Sequence, residues 1–69
     1  MVNKMKKYRA VYKGFNNKEM LTKTYDSLAV CKRFTKSQNP IRYEEIEITY
    51  SYSDDMQPIR KNVRISVIN

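Results

Sequence analysis

The chain predicts an α+β domain: a four-stranded, mostly antiparallel sheet with one helix packed on one face, in the order strand, strand, helix, strand, strand. Three observations carry that expectation. Apolar and polar residues alternate with a period of two before and after a central segment, most clearly over residues 43–52. That central segment carries an apolar stripe at helical spacing behind a good cap, Asp26-Ser27. Short clusters of Asn, Asp, Ser and Pro separate the patterned stretches.

The first strand is expected over residues 6–13. Tyr8, Ala10 and Tyr12 point one way, and Arg9, Val11 and Lys13 the other. Gly14-Phe15-Asn16-Asn17 supplies a turn, with Phe15 left partly exposed at its tip. A second strand over residues 19–25 closes a hairpin. Its inward face is ambiguous, because Leu21 and Tyr25 share a side with Lys23 while Met20, Thr22 and Thr24 share the other. The helix is expected over residues 28–37, with Leu28, Val30, Cys31 and Phe34 near one stripe and Lys32, Arg33 and Lys36 outside it. Basic residues in its last turns suit the helix dipole, and Asn39-Pro40 ends it.

In the third strand, over residues 43–52, Ile46, Ile48, Tyr50 and Tyr52 share one face and Glu45, Glu47, Thr49 and Ser51 the other. Residues 53–58 turn the chain. Ile59, Val63, Ile65 and Val67 then alternate with Arg60, Asn62, Arg64 and Ser66 in the last strand. Pairing Tyr52 with Ile59 sets Ile48 against Val63, Ile46 against Ile65 and Glu47 against Arg64, so apolar and charge patterns agree on one register.

At 69 residues the chain is one small domain spanning 1–69, with residues 1–5 expected as a flexible basic lead-in. Its core should be thin, because apolar burial at roughly 25 cal/mol per Å² nearly cancels about 1.5 kcal/mol of ordering entropy per residue at this size. Cys31 is the single cysteine and there is no histidine, so neither a disulfide nor a classical zinc site can add stability. No stretch approaches the roughly 20 apolar residues of a membrane span, and no apolar run follows the basic N-terminus as in a secretory signal. A lone thiol without export signals suggests a cytoplasmic setting.

The same absences argue against an enzyme. Neutral-pH acid–base chemistry most often uses histidine. Cys31 has no activating base, and one glycine cannot build a phosphate loop. Glu45 and Glu47 share a strand face and in principle suit a metal, but charged sheet surface is the better reading. Asp54-Asp55 reads as turn chemistry. No cofactor or metal is expected.

Charge is the most informative feature. The formal net charge is +7, and it is lopsided: residues 1–42 hold 11 basic and 2 acidic side chains, residues 43–69 hold 3 and 5. Clustered cations suit phosphate recognition, since each neutralised phosphate releases a counterion. The expected contact residues are Lys6, Lys7, Arg9, Lys13, Lys18, Lys23, Lys32, Arg33 and Lys36. Arg9 and Lys13, joined by Lys23, would form a basic ribbon of the kind that enters a major groove. Tyr8, Tyr12, Tyr25 and Phe15 lie among these cations, although tyrosines on the inner side of a strand are more often core.

The chain is therefore expected to be a small, basic, non-catalytic nucleic-acid-binding protein of regulatory or mobile-element type. The alternative is an interaction module or inhibitor that docks on an acidic protein. A homodimer through the C-terminal strand is a further expected partner, and a membrane is not. The segment from Tyr8-Arg9-Ala10-Val11-Tyr12 through Thr24-Tyr25-Asp26-Ser27-Leu28 to Phe34 resembles in form the small sheet-plus-helix DNA-binding modules at the start of phage-type integrases. Those place three strands before the helix where this chain has two, so the resemblance implies a shape and little about function.

Overall fold

The computed structural model describes residues 2–68. Four strands form one antiparallel sheet: β1 (Val2–Lys13), β2 (Glu19–Leu21), β3 (Arg42–Tyr52) and β4 (Pro58–Ile68). Their spatial order is β2-β1-β3-β4, with one helix, α1 (Leu28–Thr35), between β2 and β3 in sequence. This is the expected α+β architecture with the helix on the sheet. Because β2 and β3 both run antiparallel to β1, they are parallel to each other. Parallel strands need a crossover, which a helix commonly supplies, and α1 accordingly lies against β1.

β1 begins at Val2 rather than near Lys6, so residues 2–5 of the expected lead-in pair with Ser51 through Ile48 of β3. Met1 and Asn69, the ends of the expected lead-in and last strand, lie outside the described residues. β2 is shorter than expected. Val11, Tyr12 and Lys13 pair with Leu21, Met20 and Glu19, and then the register slips. Thr22 donates its amide to the Ala10 carbonyl at 3.0 Å, and its hydroxyl accepts the Ala10 amide at 3.0 Å. Tyr25 then exchanges two backbone hydrogen bonds with Tyr8, at 2.7 and 2.8 Å. Three steps along this strand oppose two on β1, which makes a bulge at Lys23-Thr24.

The Ser27 hydroxyl caps α1 by accepting from the Val30 amide at 3.1 Å. After Thr35 the helix tightens into a 3₁₀ turn over Lys36–Gln38 and stops at left-handed Asn39, before Pro40. Its inward stripe differs from the expected one. Cys31 and Thr35 are buried, whereas Val30 and Phe34 are exposed. Thr35 tolerates burial because its hydroxyl donates to the Cys31 carbonyl at 2.7 Å.

The β3–β4 register is the predicted one, with Ile46 opposite Ile65, Glu47 opposite Arg64 and Ile48 opposite Val63. An irregularity between Ser51 and Tyr52 sets Tyr52 opposite Pro58 instead of Ile59. The β1–β3 register, however, turns the two hairpins' apolar faces to opposite sides. Arg9 lies opposite Glu44, Lys7 opposite Ile46 and Met5 opposite Ile48. Because side chains alternate along a strand, Ile46 and Ile48 share a face with Arg9 and Val11. Tyr8, Ala10, Tyr25 and Tyr43 share the other, and that is where α1 rests. Phe34 stacks on Tyr25 and Lys32 reaches Tyr43. The helix therefore does not cover the apolar set of β3 and β4.

The core is correspondingly small. Ala10, Val11, Cys31 and Ile46 are its buried apolar side chains among the described residues. The tyrosines expected in the core, Tyr8, Tyr12, Tyr50 and Tyr52, are only half-buried.

Turns follow the residues available. Asn16, Asn17 and Asn39 take left-handed backbone angles, which Asn tolerates better than most residues. Met56 is the exception. It sits at φ 64° in the β3–β4 turn, one residue before Gln57, whose carbonyl accepts from the Ser53 amide at 2.8 Å. This position follows a tight turn and normally takes Gly or Asn. A left-handed conformation costs a side-chain-bearing residue about 1–2 kcal/mol. Met56→Gly is therefore expected to raise unfolding stability by about 1 kcal/mol in urea titration, since exposed Met56 has little packing to lose. A fall in stability would contradict the strained turn.

Candidate nucleic-acid interface

Acidic side chains sort the cations into two groups. The first lies along β1 and its partner strand. Glu44 is nearly buried and accepts from Arg9 Nε at 2.8 Å and Arg42 Nε at 3.1 Å. Arg42 Nη2 also donates to Glu19 at 2.7 Å. Since Arg42 pairs with Val11 and Glu19 with Lys13, the guanidinium spans the strand that carries Val11. Lys4 meets Glu47 at 3.7 Å, Lys6 meets Glu45 at 3.8 Å, and Lys7 pairs with Asp26. Each of these cations thus faces a carboxylate.

The pKa directions follow this geometry. Burial works to raise the Glu44 carboxyl, yet the Arg9 and Arg42 hydrogen bonds and charges outweigh it and hold the group below its ordinary value. Arg42 draws Glu19 down, and Lys7 does the same to Asp26, in each case first through the hydrogen bond. Arg42 itself is pushed further up by Glu19 and then Glu44. Burial raises the Cys31 thiol against a hydrogen bond with Thr35, so the thiolate is disfavoured.

The second group makes no ion pair with a carboxylate among the described residues, although Lys13 lies opposite Glu19 and its charge helps to lower that carboxyl. It comprises Lys13, Lys18, Lys23, Lys32, Arg33 and Lys36 of the expected contact set. Four of these surround α1. The Lys23 ammonium sits 5.2 Å from the centre of the Tyr25 ring. Tyr25 stacks on Phe34 with centroids 6.0 Å apart and planes 8° from parallel. The Arg33 guanidinium lies 6.0 Å from the Phe34 ring. The result is a row of cation, ring, ring, cation. Lys32 stands 5.5 Å from the Tyr43 ring beside it, and Lys36 is exposed in the following turn.

An open groove of about 520 Å³ runs along this row, lined by Lys7, Lys23, Tyr25, Asp26, Val30 and Phe34. Phe34 is 63% exposed. The bulge makes this arrangement by shifting the register one residue, which leaves Lys23 unpaired and sets Tyr25 opposite Tyr8, on the face where α1 lies.

No protein-family model, curated protein or solved structure matches this chain.

The expected ribbon of Arg9, Lys13 and Lys23 does not assemble. Arg9 is held by Glu44, and Lys23 moves with the bulge to Tyr25. Lys13 stays at the hairpin end, donating to the Asn17 carbonyl at 3.4 Å, near Lys18 and a 90%-exposed Phe15. Sequence reasoning placed Phe34 in the helix core and overlooked it as a surface ring. The available signal was Thr35, which completes an alternative stripe with Leu28 and Cys31. Glu45 and Glu47 are engaged by Lys6 and Lys4, and none of the His, Cys, Asp and Glu side chains among the described residues cluster to hold a metal.

Glu44 links three elements, so its removal tests the neutralised half. Glu44→Ala is expected to cost about 2 kcal/mol at neutral pH, because it leaves the Arg9 guanidinium unpaired against a partly buried strand and removes one of Arg42's two partners. Its folded pKa is lowered, so the stabilisation is complete above the ordinary carboxylate value and fades as pH falls from there through the folded value. Denaturation between pH 6 and pH 3 should show a steeper acid loss for the native chain than for Glu44→Gln. Parallel curves would contradict the pairing.

Proposed function

We propose that this chain is a small, non-catalytic nucleic-acid-binding domain whose contact surface is the outer face of α1 together with the Lys23–Tyr25 segment. One observation carries the reading: five of the seven carboxylates are engaged by Lys4, Lys6, Lys7, Arg9 and Arg42, while Lys23 and Arg33 flank the stacked Tyr25–Phe34 pair, with Lys32 beside Tyr43 and Lys36 exposed after the helix, none with a carboxylate partner among the described residues.

Cations alone suit any polyanion. Cations interleaved with an exposed, stacked aromatic suit a flexible strand, whose phosphates can meet the side chains while an unpaired base stacks on the ring. Single-stranded DNA or RNA is accordingly the favoured ligand over a closed duplex. The cytoplasmic setting and a regulatory or mobile-element role belong to the same reading. None of the helices described is long and apolar enough to cross a membrane.

Fluorescence anisotropy with labelled single-stranded DNA, single-stranded RNA and duplex DNA tests the proposal. With about four cations engaged, single-strand affinity should fall about fifty-fold between 50 and 200 mM salt. Arg33→Glu or Lys32→Glu should abolish most binding, and Phe34→Ala should weaken single-strand binding by about 1–3 kcal/mol while sparing the fold. Lys4→Glu, on the neutralised strand, should have a much smaller effect. No binding to any of the three probes at low salt overturns the proposal. Stable retention of an acidic protein after nuclease treatment would then point to the docking alternative.

A further inference from the structure

The sheet has two edges, and they are built differently. β2 is three residues long and ends in a bulge, a common way to blunt an edge. β4 is an 11-residue edge strand, and its outer backbone groups face no neighbouring strand. Edges of this length are usually guarded by an inward charge, a bulge or a proline. In β4 the only charge on the apolar face is Lys61 and the only proline is Pro58, both close to the turn. The stretch Val63-Arg64-Ile65-Ser66-Val67 beyond them is unguarded.

The same stretch is unusually exposed for its composition. Val63, Ile65 and Val67 are 52%, 51% and 60% exposed. They continue an apolar row that includes Ile46 and Ile48 of β3 and Met5 of β1, on the face away from α1.

The order of residues identifies the partner. Read from either end, the stretch is apolar β-branched, polar, Ile65, polar, apolar β-branched. We infer that β4 pairs antiparallel with β4 of a second copy, about a two-fold axis at Ile65, to make one continuous eight-stranded sheet. An antiparallel ladder about that axis sets Ile65 against its own counterpart and Val63 against Val67 of the second copy. Arg64 meets Ser66, and Asn62 meets Ile68. No like charges lie directly opposite. A register centred on Arg64 would oppose two arginines and set Lys61 against Val67. A register centred on Val63 would set Lys61 against Ile65. The Ile65 centre sets three consecutive apolar pairs on that face, more than any other antiparallel register of this strand.

This inference does not rest on the nucleic-acid reading, although it has a consequence for it. A two-fold axis normal to the sheet leaves both helices on the same side. The two candidate contact surfaces would face one direction, where a single strand or two strands could engage both.

Sedimentation of nuclease-treated, salt-washed protein gives the first test, with twice the 8.3 kDa monomer mass expected at high micromolar concentration. Ile65→Lys, which opposes two ammonium groups at the axis, should return the monomer mass. Cysteine pairing separates this register from any other dimer and needs no disruptive change. Native Cys31 is buried, so its background should be low. Under mild oxidation Ile65→Cys should link to itself. Val63→Cys alone should not, but should link when mixed with Val67→Cys. A monomer at every concentration overturns the inference. So does a dimer in which Val63→Cys links to itself while Ile65→Cys does not.

Discussion

The pairing of Arg9 with Glu44 across β1 and β3 ties the rest of the molecule together. It locks the central register, and that register decides two separate matters. It sets the lysines of β1 among the glutamates of β3, and it turns Ile46 and Ile48 away from the helix. Glu44 also recruits Arg42, which reaches on to Glu19 beside β2. One nearly buried carboxylate thereby couples the first hairpin, the third strand and the short edge strand. Individual surface ion pairs contribute little. This cluster differs because its hydrogen bonds satisfy a carboxylate that would otherwise be buried without partners.

A consequence is a redistribution of the chain's electrostatics. The sequence concentrates cations in its first 42 residues, and the fold then pairs Lys4, Lys6, Lys7 and Arg9 of β1 with carboxylates drawn largely from β3. The cations left without an ion pair among the described residues include Lys13 and Lys18 at the first hairpin and Arg60, Lys61 and Arg64 on β4, and the group interleaved with stacked rings is the one on the outside of α1 and the bulged segment next to it. The bulge at Lys23-Thr24 releases Lys23 from the strand ladder, and Tyr25 stacks beneath Phe34. The candidate contact surface is therefore smaller than the sequence suggests, richer in aromatic character, and located on the helix rather than along a ribbon.

Much of the fold was legible because it depends on local chemistry. The β3–β4 register followed from two patterns that agreed, isoleucine against isoleucine and Glu47 against Arg64. The Ser27 cap and the stop at Asn39-Pro40 each follow from the properties of one or two residues. The β1–β3 register was not legible, because it joins segments more than 30 residues apart and alternation alone cannot choose between two faces. An eight-residue helix cannot cover 11-residue strands, so the apolar sides of β3 and β4 are left on the other face. Within α1, Val30 and Phe34 fit the apolar stripe as well as Thr35 did. Burial of Thr35 became acceptable only through its bond to the Cys31 carbonyl, a feature that hydrophobicity does not encode. Of the site residues, the helix cations were identified correctly as exposed, whereas neutralisation of Lys6, Lys7 and Arg9 depended on long-range partners.

The central register can be observed directly by interstrand backbone NOEs in a labelled sample. The account requires connectivities between Ala10 and Tyr43 and between Lys7 and Ile46, as the Arg9–Glu44 alignment dictates. Connectivities of Ala10 with Glu44 and Lys7 with Glu47 would instead place Ile46 and Ile48 beneath the helix, set Arg9 opposite Glu45 in place of Glu44, and contradict both the Arg9–Glu44 cluster and the exposed apolar face.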